Sequence, residues 1–236
     1  LYPPGTEYTI PVIAITGTNG KTTTTRLIAH LFRQAGKTVG FTTTDGVYLQ
    51  NRLVMEGDMT GPFSANIVLA NPTVEVAVLE TARGGILRAG LGFDEADVGV
   101  VLNVSADHLG LRGIHTLEQL AEVKSVVAAV VKREGHAVLN ADDPLVYAMR
   151  ERTPADVVLF STRPPGENER IEDHLARGGI AARIEDGTFV IRRGRLRIPI
   201  AAVKEVPLML GGAAAFQEQN ILAAIATAYV RGVRYD

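Results

Sequence analysis

The fold is decided by Pro11–Thr23, which reads P-V-I-A-I-T-G-T-N-G-K-T-T. A β-branched run through Val12, Ile13 and Ile15 enters a turn of small residues, and Lys21 opens a segment with helical spacing of apolar residues. This order predicts a strand, a phosphate-binding loop and a helix, with loop amides and the helix N-terminus directed at one anion. The alternative interpretation is an ordinary strand-to-helix turn that happens to contain Gly-Lys-Thr.

The loop predicts binding of ATP together with Mg²⁺. Lys21 supplies an ammonium for the β- and γ-phosphates, and Thr22 supplies a hydroxyl for the metal ion. The spacing departs from the common G-x-x-x-x-G-K-[ST] pattern, because Ile15 stands where that pattern has its first glycine. The loop residues expected to contact ATP are Gly17, Thr18, Asn19, Gly20, Lys21, Thr22 and Thr23.

Composition limits the class of protein. The 236 residues are 46% hydrophobic and 21% charged, with a net charge of −2 and no cysteine. Disulfides and thiolate metal sites are therefore excluded, and a nucleic-acid-binding face, which is usually strongly basic, is not expected. No apolar run approaches the length of about 18 residues that crosses a bilayer, so we expect no membrane association and a cytoplasmic location. Residues 1–10 are interpreted as a linker from a preceding domain, and residues 11–236 as one domain.

Short β-branched runs alternate with helical patterns, which predicts an α/β fold with a doubly wound, mostly parallel sheet. Hairpin signals at Asp186-Gly187 and Arg193-Gly194 predict a small antiparallel meander after it. Weak periodicity in Gly46–Pro72 predicts a long loop or lid. The predicted strands are Val12–Ile15, Val39–Thr43, Val74–Leu79, Val98–Val104, Ala137–Leu139, Val157–Phe160, Ala181–Ile184, Thr188–Ile191 and Leu196–Ile200. The predicted helices are Thr23–Gln34, Leu117–Lys132 and Phe216–Arg231.

Polar residues follow two of the predicted strands. Glu80 stands at the carboxyl end of the third strand, where it can reach a Mg²⁺ held by Thr22; a helix-capping or surface carboxylate is the alternative. Arg83, in Glu80-Thr81-Ala82-Arg83-Gly84-Gly85, is a candidate for binding an acidic substrate, or an external ion-pair partner. Thr44 and Asp45, after the second strand, are expected to line the cleft for that substrate.

Lys124 falls inside the apolar stripe of its predicted helix. The helix opens with a capping box at Thr116 and Gln119. A desolvated lysine is more often a neutral amine, which can react with CO₂ to give an anionic carbamate. A lysine that packs its stem and extends its head to water is the alternative.

These motifs together resemble the Mur ligase superfamily, in particular its cyanophycin synthetase branch, in which E-T-A-R-G-G is characteristic. Asn103-Val104-Ser105-Ala106-Asp107-His108 resembles the second metal motif of the superfamily, so the resemblance implies two Mg²⁺ ions, with His108 as a ligand. It also implies that Lys124 is the lysine carbamylated in many members, and that Asn140–Asp143 belongs to the nucleotide site. Gln217 and Asn220 correspond to an adenine-contacting Asn-x-x-Asn pair, although this chain has Gln at the first position. The other histidines match no motif and are expected at the surface: His30, His115, His136 and His174.

The resemblance implies the central ATP-binding domain of an amide ligase that works through an acyl phosphate, with the C-terminal domain absent. Its implied partners are an acidic polymer, an amino acid (arginine, joined to the aspartate side chains of a polyaspartate) and the flanking domains of a longer chain. A folylpolyglutamate synthetase-like ligase and a cell-wall ligase stay open as alternatives. Two other classes stay open too: a non-catalytic nucleotide-binding scaffold and a switch ATPase. A homo-oligomer stays open as a further partner.

Overall fold

The computed structural model of the chain describes residues 10–106, 110 and 113–234. They form an 11-stranded sheet in the spatial order β11-β10-β9-β8-β7-β6-β1-β5-β2-β3-β4. The strands are β1 Val12–Thr16, β2 Val39–Thr43, β3 Gly46–Leu49, β4 Arg52–Glu56, β5 Val76–Glu80, β6 Ala96–Val101, β7 Val131–Asn140, β8 Asp156–Phe160, β9 Ile180–Glu185, β10 Thr188–Arg193 and β11 Leu196–Ala202. The helices are α1 Lys21–Gln34, α2 Pro62–Leu69, α3 Arg83–Ala89, α4 Leu117–Ala129, α5 Pro144–Ala148, α6 Glu169–Ala176 and α7 Glu218–Val230.

The sheet is mixed, as the sequence predicted. Strands β2, β5, β1, β6, β7, β8 and β9 run parallel, and antiparallel hairpins extend both edges. The predicted meander is confirmed, but it continues the parallel sheet because β9 pairs parallel with β8. Since β5 and β6 flank β1, the segments that follow these three strands leave the same edge of the sheet and meet there.

Both faces of the sheet are covered, which explains the continuous apolar run of β1, all of whose residues are buried. On one face Ile13 and Ile15 pack in a cluster with Ile28 of α1 and Leu222 of α7. On the other face α2 and α4 pack against the sheet in a cluster that includes Val127. No helix among the described residues is long and apolar enough to cross a membrane.

The prediction of a long loop or lid at Gly46–Pro72 is wrong. The segment forms the β3–β4 hairpin and then α2. The hairpin turn uses Gln50 and Asn51 at positive φ of 49° and 68°, without the glycine that usually marks such a turn. Helix α2 begins with Pro62 at its first turn, and its nearly uniform apolar sequence hides the helical period.

Two boundaries near the site and the placement of two histidines also differ from the predictions. Helix α4 ends at Ala129 rather than Lys132, because β7 begins at Val131 in register with Ala96 of β6. Strand β6 ends at Val101, and the residues after it turn toward the phosphate loop. The expectation that all four remaining histidines lie at the surface is wrong for His136 and His174, which are half-buried.

Candidate active site

The phosphate loop follows β1 and leads into α1. Gly20 stands just before α1 with φ of 83°, a left-handed conformation that glycine adopts without strain. No side chain of the described residues caps the N-terminus of α1, so the first-turn amides stay available for an anion. Lys21 Nζ donates to the carbonyl oxygen of Thr18 at 2.8 Å, which folds its side chain back over the loop. The predicted strand, loop and helix are confirmed.

Asn103 holds this loop in shape. Its Oδ1 accepts hydrogen bonds from the backbone amides of Thr18 at 3.0 Å and Asn19 at 2.9 Å, and its Nδ2 donates to the Asn19 carbonyl at 3.2 Å. The Ser105 amide donates to Thr18 Oγ1 at 3.0 Å. Two of the amides predicted to face ATP are thus used by Asn103, and the amides at the start of α1 are the ones left for phosphate. Sequence reasoning assigned Asn103 no role of its own, since its partners are 84 and 85 residues away.

Asn220 packs against the same loop from α7. Its Oδ1 accepts from Thr24 Oγ1 at 3.3 Å, and its Nδ2 donates to Gln217 Oε1 at 2.8 Å. A Cβ atom at Gly20 would lie 2.0 Å from Asn220 Oδ1, so the loop can approach α7 only with glycine there. The two residues expected to contact adenine therefore lie together beside the loop. Their amides bind each other in this structure.

Thr22 and Glu80 meet as predicted. Thr22 Oγ1 donates to Glu80 Oε2 at 2.8 Å and lies 3.2 Å from Thr44 Oγ1. Glu80 ends β5 with a side chain that is buried, and its Oε1 has no hydrogen-bond partner among the described residues. Burial raises the pKa of Glu80 above its usual value, although the Thr22 hydrogen bond and the charge of Lys21 act against it.

This arrangement fits a hard cation. A buried carboxylate oxygen without a partner and a neighbouring threonine hydroxyl are ligands that Mg²⁺ accepts, alongside phosphate oxygens. The described residues contain no group of three or more His, Asp or Glu side chains placed to hold a metal by themselves. His108, with its neighbour Asp107, lies outside the described residues, so its role stays a prediction.

Lys124 lies on the buried face of α4, as the sequence predicted. It is 3% exposed, and its Nζ donates to the carbonyl oxygen of Gly17 at 2.7 Å. The capping box at Thr116 and Gln119 is confirmed and fixes where α4 begins. Gly99 of β6 lets α4 approach closely, because a Cβ atom there would lie 2.3 Å from the Val127 carbonyl oxygen. The interpretation of an extended lysine with its head in water is wrong.

A cleft of about 290 Å³ joins these groups to the predicted substrate residues. Gly17, Lys21 and Lys124 line it at the phosphate loop, which is called its phosphate end, and Thr44 and Arg83 line the wall beyond the loop. Asp45 lies outside that lining, because its exposed carboxylate pairs with Arg26. That ion pair lowers the pKa of Asp45, although partial burial acts in the opposite direction.

The Asn140–Asp143 segment binds the residues on either side of Asn103. Asn140 Nδ2 donates to the Leu102 carbonyl at 2.8 Å, and Asp143 Oδ2 accepts from the Val104 amide at 2.7 Å. Asp143 also caps α5, while Asp142 accepts from Ser161 Oγ at 2.6 Å. The contacts to Leu102 and Val104 fix the segment that carries Asn103. They give the Asn-x-Asp-Asp pattern a structural role in addition to the nucleotide role expected of it.

Comparison with known proteins agrees with this geometry. Residues 15–228 match the family described as Mur ligase middle domain. The cyanophycin synthetases of Crocosphaera subtropica and Synechocystis are 57% and 56% identical to the chain, each over 99% of this chain and 26% of the relative. The chain thus spans about a quarter of the length of these curated relatives.

A solved structure of UDP-N-acetylmuramoyl-L-alanyl-D-glutamate–2,6-diaminopimelate ligase superposes with a TM-score of 0.71 at 25% identity, covering 94% of this chain and 44% of that one. The Mur ligase family uses ATP, as the phosphate loop predicted. With a family match over most of its length, the loop and Lys124 in one cleft, and Glu80 bound to Thr22 beside them, the chain belongs to the Mur ligase middle domain family.

Proposed function

We propose that this domain is the carboxylate-activating ATP site of an acid–amino acid ligase that joins arginine to the aspartate side chains of a polyaspartate. The observation that carries the proposal is the single cleft in which Lys21 and Lys124 lie at one end and Arg83 on the wall. A phosphate site and a carboxylate-binding guanidinium in one cleft are what phosphorylation of an acid requires. The substrate follows from the relatives named cyanophycin synthetase.

The reaction has two balanced steps. A carboxylate oxygen of the acceptor attacks the γ-phosphorus of ATP, and the bond between that phosphorus and the bridging oxygen breaks. ADP is released, and the acceptor becomes an acyl phosphate. The α-amine of arginine then attacks the acyl carbon, loses a proton and expels inorganic phosphate. Residues beyond this domain are expected to orient the amine.

The described residues serve the first step. Lys21 and the amides at the start of α1 bind the phosphates and offset the charge that moves onto the leaving group. Arg83 holds the acidic acceptor in the cleft that Lys21 also lines. Thr22 and Glu80 would hold Mg²⁺, with Lys124 as a carbamate and His108 proposed for a second ion. Bound Mg²⁺ neutralises phosphate charge during the transfer.

The test uses the full-length protein that contains this domain. We expect arginine incorporation into an aspartate-polymer primer, with ADP and phosphate released in equal amounts. Lys21→Ala should abolish turnover and leave the thermal unfolding curve unchanged, because its side chain contacts the loop surface rather than the core. Glutamate incorporation into a folate would favour the folylpolyglutamate alternative. ADP release without acceptor dependence would favour a switch ATPase, and no turnover at all would favour a scaffold.

A further inference from the structure

The wall of the cleft carries a second guanidinium. Arg88 lines it with Arg83, and both belong to α3. Arg88 folds back along the helix, so that its Nη2 lies 3.8 Å from where a Cβ atom on Gly84 would stand. No hydrogen bond or ion pair joins Arg88 to another residue in the described part of the chain.

Close packing fixes this wall. A Cβ atom at Gly85 would lie 2.6 Å from the Thr60 carbonyl oxygen, so the absence of a side chain lets α3 lie directly on the segment before α2. Asp58 lines the cleft from that segment and accepts from Thr60 Oγ1 at 2.7 Å. The helix that carries both arginines is thereby fixed against the segment before α2.

The positive charge of the cleft favours an acceptor with more than one anionic group. Among the described residues, three side chains that keep a positive charge line it, Lys21, Arg83 and Arg88, together with the carboxylate of Asp58. The phosphates of ATP engage the lysine end. A carboxylate bound bidentately by a guanidinium uses both oxygens in hydrogen bonds, which leaves a poor nucleophile. A guanidinium that binds in this way suits a carboxylate that does not react, and Arg88 can supply it while Arg83 orients the acceptor.

We propose that Arg88 binds a second, non-reacting carboxylate of the acceptor and so selects acceptors that carry two neighbouring carboxylates. This inference rests on the proposed function. The second carboxylate has two chemical sources, the terminal α-carboxylate of the residue being modified or the side chain of the residue before it. The volume of about 290 Å³ also has to admit the γ-phosphate, so the second group lies within one residue of the reacting one.

The experiment measures kcat/KM of the full-length ligase with three aspartate peptides. One is unmodified, one has an amidated terminus, and one has Asn in place of the preceding Asp. We expect the wild type to lose at least about tenfold on one of the two neutralised acceptors, since charge-assisted bidentate pairs are the strong ones. Arg88→Gln should lose the same factor on the unmodified peptide, mainly through KM, and nothing further on that neutralised acceptor. Arg88→Lys should retain part of the selectivity.

Arg133, exposed at the opposite end of the sheet near the start of β7, provides the matched control, and Arg133→Gln should behave as the wild type. The KM for ATP should be unchanged in all variants. The inference is overturned if Arg88→Gln loses equally on all three peptides, or loses nothing, or if the wild type does not discriminate among them. A wild type that forms no amide bond with any acceptor instead overturns the proposed function.

Discussion

Replacing Lys124 by Met should separate a functional lysine from a structural one. The side chain is 3% exposed and its Nζ donates to Gly17 at 2.7 Å. Losing a hydrogen bond to a charged group costs about 1.5–3 kcal/mol. Removing a buried ammonium relieves a desolvation penalty of several kcal/mol, and an unbranched apolar side chain of similar length fills the space. We therefore expect the free energy of unfolding to change little or to rise.

Activity should respond in the opposite way. Removing one preorganised polar group that acts on developing charge typically costs about 10²–10³-fold in kcat. The assay pairs ATP-dependent amide formation by the full-length ligase with urea unfolding of the domain. Lys132→Met is the control. Lys132 stands at the start of β7, away from the phosphate loop, is only partly buried, and its Nζ lies 3.8 Å from Asp97 Oδ2.

The carbamate interpretation adds a second requirement. Lys124→Arg keeps a positive charge and cannot form a carbamate, so it should be inactive as well. Labelled bicarbonate should give a carbamate carbon signal in the wild type that Lys124→Arg lacks. Bicarbonate or a small carboxylate should restore part of the activity of Lys124→Ala. An active arginine variant contradicts the carbamate, and a Met variant that is active but unstable contradicts the reasoning as a whole.

Four further outcomes are expected. The isolated domain should bind Mg·ATP in calorimetry yet incorporate no arginine, because acyl transfer needs an oriented amine; incorporation would show that the amine site lies here. Asn103→Ala should lower the free energy of unfolding by about 1–3 kcal/mol and weaken ATP binding, since two loop amides lose their acceptor. Unchanged ATP affinity would contradict the role of Asn103 in shaping the loop. Gly99→Ala should lower the free energy of unfolding in urea by about 1–3 kcal/mol, because the new methyl group pushes α4 away. Gly36→Ala, where the added methyl group meets open space, should cost only the strain of an alanine at positive φ. Burial lowers the pKa of His174 below 6.5, so the unfolded state binds more protons, and stability should fall as pH drops below that value; His174→Gln should flatten the melting-temperature profile between pH 7.5 and 5.5.

Local patterns predicted much of the candidate site. The strand, loop and helix around Lys21 were visible because β-branched residues, glycines and a helical period follow one another within one short stretch. Lys124 was visible as a charge inside an apolar stripe. Glu80 was placed beside Thr22 because carboxyl ends of adjacent parallel strands meet at one sheet edge. The hairpin at Gln50 and Asn51 was missed because neither residue is the glycine that usually marks such a turn.

The sequence alone therefore determined the class of the fold, the phosphate loop and the chemistry of the residues around it, since these depend on spacing along the chain. Only the tertiary structure decided that Asn103 shapes the loop, that Asn220 fits against Gly20, and that Arg88 faces the same cleft as Lys21. Such contacts join residues far apart in sequence and depend on how closely helices approach the sheet. Neither composition nor periodicity records that distance, because it is set by packing on both faces at once.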